Sequence, residues 1–245
     1  MRKLIRIWVF LLPILAAVTA CSGSSPEPSP ASGKPAHLVY IIDGSTSPAT
    51  INDATVMRAA EDRVGEEMKR DAQLGDTLIV FQVGSTDASR MVSYPAIHTG
   101  YNLRLPAAHA RLVGQMNEIA ARFRDQGGDT STHLIESLEA IRPECASGRD
   151  VITMLTDGVE ESDSYSAATV LSAGKPVNLP SPPGRYLAGC HKVILLGFGL
   201  SVDLSAGGRP QLLPARSLAA LRQGWLNYLT AAGMRAQDVE FVSAF

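Results

Sequence analysis

The chain has 245 residues, a formal net charge of −2, 45% hydrophobic and 6% aromatic residues. That is enough apolar material for one large core. The nearly balanced charge, with no basic cluster interleaved with aromatics, argues against nucleic acid as a partner. At the N-terminal end, Arg2, Lys3 and Arg6 form a basic head, and Ile7 to Val18 is an apolar run broken only by Pro13. The run falls short of the roughly 20 residues that a membrane span needs; it has the layout of a secretory signal peptide.

The run closes on Val18-Thr19-Ala20-Cys21, which resembles the lipobox of bacterial lipoproteins. The resemblance implies removal of residues 1–20 and lipidation of Cys21. It also implies a lipid-anchored, periplasm-facing place in the cell envelope, with Ser22 in the next position favouring the outer membrane over the inner. Residues 22–35, SGSSPEPSPASGKP, hold no large apolar side chain and read as a disordered tether. Its prolines keep it extended, and at about 3.1 Å per residue it reaches on the order of 40 Å. Setting Cys21 aside leaves Cys145 and Cys190, an even pair that reads as a disulfide in an oxidising compartment.

Residues 36–245 then alternate between strand and helix signals. Residues 37–43 (HLVYIID) and 77–83 (TLIVFQV) are short apolar runs rich in β-branched residues, the pattern of buried strands. Between them Val56, Ala60, Val64 and Met68 recur every four residues, the stripe of an amphipathic helix from Asn52 to Asp71. Residues 90–98 are more polar and contain Pro95, which predicts an edge strand. A helix is expected over 107–125, with Leu112, Met116, Ile119 and Phe123 on one face. Another is expected from a Thr130 or Ser131 cap to just before Pro143. Strands at 151–156 and 192–197, a helix at 215–232 and a last strand at 239–243 complete the series. Residues 162–189 read as one long irregular stretch, a length that is often functional. The pattern predicts an α/β fold, a doubly wound and mostly parallel six-stranded sheet with helices on both faces.

Three polar clusters interrupt this alternation, each at the carboxyl end of a strand or the start of a helix, where doubly wound sheets bind ligands. Asp43-Gly44-Ser45-Thr46-Ser47 resembles the D-x-S-x-S motif of von Willebrand factor A domains, Gly127-Gly128-Asp129-Thr130 their G-G-x-T segment, and Thr156-Asp157-Gly158 their T-D-G. The resemblance implies strand order 3-2-1-4-5-6 and a metal-ion-dependent adhesion site. In such a site Ser45 and Ser47 bind the ion directly, Thr130 directly or through water, and Asp43 and Asp157 largely through water. It also implies a protein partner that supplies an Asp or Glu carboxylate to the ion. Hydroxyl, carboxylate and water oxygens suit a small hard cation, Mg²⁺ or Mn²⁺, and no Cys/His cluster competes for zinc.

The expected function is therefore a membrane-tethered binding module of the cell envelope rather than an enzyme. A metal-dependent hydrolase built on Asp43 and Asp157 is the alternative from another class, and a metal-free scaffold of the same fold is the third. Asp129, Glu160, Glu161 and Asp163 are expected to be solvated loop charges, His133 an exposed first-turn residue, and Trp225 and Tyr228 helix packing.

Overall fold

Chain order gives β1 (His37–Asp43), α1 (Ala49–Asn52), α2 (Ala54–Asp71), β2 (Thr77–Val83), β3 (Val92–Ser93), β4 (Ile97–His98), α3 (Leu105–Gln126) and α4 (Leu134–Ile141). Then follow β5 (Val151–Leu155), β6 (Glu161–Ser162), β7 (Tyr165–Ser166), α5 (Ala167–Ser172), β8 (Lys192–Leu196), β9 (Leu200–Val202), β10 (Pro210–Leu212), α6 (Ala215–Ala231) and β11 (Val239–Val242). This computed structural model describes residues 33–84, 91–126, 131–202 and 209–243, all of them within the unit Ala31–Phe245.

The architecture is α/β. The central sheet runs β11-β8-β5-β1-β2-β3, with β4 also paired to β2. The pairs β1–β2, β1–β5, β5–β8 and β8–β11 are parallel, whereas β3 and β4 lie antiparallel to β2. Alternation along β1 sends Leu38, Tyr40 and Ile42 into one apolar layer and Val39 and Ile41 into the other. The first layer is closed by Met57, Ala60, Val64 and Met68 of α2 and by Leu112, Met116 and Ile119 of α3. The second is closed by Leu134 and Leu138 of α4 and by Leu221, Trp225 and Leu229 of α6. Strands covered on both faces must be apolar throughout, which is why their sequences read as continuous runs.

Several expectations are corrected. The sheet has seven strands rather than six, because the single edge strand expected at 90–98 is two short segments on either side of Pro95. Proline cannot donate to a ladder. The helix expected from Asn52 is broken at Asp53, whose side chain accepts hydrogen bonds from Thr55 N–H and Val56 N–H and so starts α2 afresh. The stretch 162–189 is irregular only in its second half, since the β6–β7 hairpin and α5 occupy the first.

The amino end of β1 is held by two buried carboxylates. Ala36 N–H donates to Asp76 Oδ1 (2.8 Å) and His37 N–H to Asp150 Oδ1 (2.8 Å), and Arg149 Nη2 also donates to Asp76 Oδ1 (2.8 Å). Cys145, ahead of β5, and Cys190, ahead of β8, form a disulfide across this end of the sheet. Among the described residues no helix is long and apolar enough to cross a membrane. Cys21 and the tether up to residue 32 lie outside them.

Candidate metal centre

Adjacent, parallel β1 and β5 end side by side, so Asp43 and the Asp157 turn meet although they are far apart in sequence. Both aspartates are fully buried. Asp43 Oδ1 accepts from Ser45 N–H (3.0 Å) and Oδ2 from Thr156 Oγ1–H (2.7 Å). Asp157 Oδ1 accepts from Val159 N–H (2.9 Å), while its Oδ2 is buried with no hydrogen-bond partner among the described residues. The hydroxyls of Ser45 and Ser47 stand 3.5 Å apart beside them.

Loss of water raises the pKa of both carboxyls. For Asp157 the charge of Asp43 adds to the rise, and the Val159 amide and Ser47 hydroxyl oppose it. For Asp43 burial dominates, against bonds from Ser45 and Thr156. Two carboxyls sealed together in this way favour a proton or a cation between them.

The loops around the aspartates are fixed by residues to which the sequence reading gave no part in the site. Asn52 Nδ2 donates to the carbonyls of Ser45 (3.2 Å), Thr46 (3.2 Å) and Pro48 (3.0 Å). Val202 N–H of β9 donates to Ser47 O (2.7 Å). The Phe123 ring lies so close over Gly44 that a Cβ there would come within 1.6 Å of it. Trp225 is core packing, as expected, but its Nε1–H also donates to Gly158 O (2.7 Å). Gly158 itself has φ 76°, a left-handed conformation that glycine adopts without strain. The T-D-G threonine is the one signal the sequence offered without its role: Thr156 Oγ1 bonds Asp43 and accepts from Gly158 N–H (2.9 Å), joining the two loops.

Of the expected site residues, Asp43, Ser45, Ser47 and Asp157 come together. Thr130 lies outside the described residues, together with Gly127, Gly128 and Asp129. The surrounding charges differ from expectation. Asp163 is exposed and Glu161 half-buried, but Glu160 is fully buried and His133 is only 6% exposed. Neither α4 nor its lead-in is capped as expected. His133 occupies the N-cap without a side-chain bond, and Glu160 caps the helix from across the loop.

No protein-family model matches the chain, and no curated protein matches it.

The donor set fits a hard cation that keeps part of its water: two carboxylates, one with an oxygen that has no hydrogen-bond partner among the described residues, and two hydroxyls. Among the described residues no group of three or more His, Cys, Asp or Glu is placed to hold a metal. Any ion here would depend on the serine hydroxyls and water as much as on charge.

Proposed function

We propose that the protein is a tethered binding module of the von Willebrand factor A type. In this reading it grips an acidic side chain of a protein partner through Mg²⁺ or Mn²⁺ held by Asp43, Ser45, Ser47 and Asp157, with Thr130 as the further ligand that the motif supplies. The observation that carries the reading is that Asp157 Oδ2 is buried without a hydrogen-bond partner among the described residues while a second buried carboxylate, Asp43, acts on it and the hydroxyls of Ser45 and Ser47 stand 3.5 Å apart. A folded protein rarely leaves such an oxygen without a donor, and a cation supplies what the side chains do not. Two aspartates balance the ion's charge without exceeding it, so an incoming carboxylate still finds attraction at the remaining coordination position.

The N-terminal sequence gives the module its place. A lipidated Cys21 and an extended tether hold the domain off an envelope membrane. Replacing Cys21 with Ser should leave the protein unprocessed or free of the membrane fraction.

Calorimetric titration of the purified chain with Mg²⁺ and Mn²⁺ tests the site. Both ions should bind wild type, and Asp43→Ala should lose that binding while remaining folded by circular dichroism. Capture of envelope proteins should vanish with chelator and return with Mg²⁺. Equal titrations for wild type and Asp43→Ala, or capture indifferent to chelator, would overturn the reading.

A further inference from the structure

The loop leaving Asp157 carries a buried carboxyl that the cation reading does not use. Glu160 is fully buried. Its Oε2 accepts from the backbone N–H of Leu134 (2.9 Å) and Ile135 (3.2 Å), the first residues of α4. The adjoining backbone is bridged both ways, Thr132 N–H to Glu161 O (2.8 Å) and Glu161 N–H to Thr132 O (3.0 Å), and Ala167 N–H of α5 donates to Glu160 O (2.8 Å). Glu160 thus ties the segment entering α4 to the loop that begins at Asp157.

Its other oxygen sits in an acidic corner. Glu136, on the first turn of α4, lies beside it, and His133 Nδ1 stands 3.9 Å from Glu136 Oε2. Glu160 Oε1, Glu136 Oε2 and His133 Nε2 are all buried without a hydrogen-bond partner among the described residues. The third acid nearby, Glu161 on the same loop, is occupied by Ser166 Oγ–H (3.1 Å) and Ala168 N–H (2.7 Å). No Lys or Arg pairs with Glu160 among the described residues.

The N-terminus of a helix favours an anion, but burial and then the Glu136 charge outweigh it and push the Glu160 carboxyl up to about 9. A proton on Oε1 gives that oxygen Glu136 as an acceptor and leaves Oε2 free to cap α4.

We propose that Glu160 is a positioning residue for the cation site: in its neutral form it locks the segment entering α4 against the Asp157 loop, and loss of its proton opens the lock and weakens the hold on the ion. This rests on the reading of Asp43, Ser45, Ser47 and Asp157 as a cation site.

The test is Mg²⁺ titration by calorimetry at pH 7.5 and pH 9.5 on wild type, Glu160→Gln and Glu136→Gln. Glutamine keeps an oxygen for α4 and an N–H for Glu136 but cannot ionise. If only the neutral form is competent, wild-type affinity should weaken about fourfold at the higher pH. Glu160→Gln should match wild type at pH 7.5 and show no such loss. Glu136→Gln removes the repelling charge, so its loss should set in at lower pH than in wild type, a shift that a merely structural cap would not produce. Wild-type affinity independent of pH, or an alkaline loss retained in Glu160→Gln, overturns the proposal while leaving the cation site intact. Absence of Mg²⁺ binding to wild type at both pH values overturns the cation reading, and this proposal with it.

Discussion

Asp157 and Gly44 show how much of the site is decided by single atoms. Asp157 is buried with one oxygen unpaired among the described residues and the Asp43 charge against it, so without a cation it should work against folding. Asp157→Asn should therefore raise the unfolding midpoint of the chelator-treated protein. Each kcal/mol of relief corresponds to roughly 2–4 °C in a domain of this size. If the site holds Mg²⁺ as proposed, wild type should show an upward shift on adding the ion and Asp157→Asn should not. Differential scanning calorimetry with and without Mg²⁺ reads both effects. Gly44 meets a steric limit: a methyl there collides with the Phe123 ring. Gly44→Ala should cost about 1–3 kcal/mol, the range for overfilling a packed site. Phe123→Leu in the same chain should restore part of that loss, as a double-mutant cycle in urea would show.

At the scale of elements, α4 depends for its start on a residue far along the chain. The folded protein holds a proton on Glu160 up to about pH 9, whereas the ordinary value is 4.5. Between those limits the unfolded chain has released a proton that the folded chain retains. Stability should therefore fall as pH rises through that window and change no further above it. Glu160→Gln should remove this component of the slope, measured as urea midpoint against pH in the presence of chelator.

The same helix shows where sequence reading stops. Strands β1, β5 and β8 were legible because burial on both faces demands unbroken apolar runs, β2 and β11 from short stretches rich in β-branched and aromatic residues, and α2, α3 and α6 because each covers the sheet with a regular stripe. The edge at 90–98 was legible as strand but not as the two segments β3 and β4, and the hairpins were not legible, since two or three residues carry no period. Asp43, Ser45, Ser47 and Asp157 were legible as motifs. The Asn52 bridge, the Phe123 contact and the Glu160 cap were not, because each joins residues whose proximity exists only once the fold has formed.

For the whole molecule, the Cys145–Cys190 bond spans a sequence separation of 45 and encloses β5, the Asp157 loop, α5 and the irregular segment before β8. Closing a loop of that length restricts the unfolded chain by on the order of 4 kcal/mol in the chain-entropy model. Replacing both cysteines with Ala should lower the unfolding free energy by up to that amount. The enclosed segment should also become the first to be cut in limited proteolysis, with the β1–β2 half cut later.

The two carboxylate clamps at the amino end of β1 also set how the molecule bears a load. The chain enters the sheet at Ala36 and reaches the proposed cation site at Asp43, so in that reading the tether and a partner gripped through the ion would pull on opposite ends of one strand. That strand is internal, registered over seven residues with β2 and five with β5. A pull along it loads those hydrogen bonds together in shear, where an edge strand would peel away one bond at a time. Asp76 and Asp150 grip the strand at the end where the chain enters it, so a pull from that side would fall first on these two clamps and the ladders flanking β1.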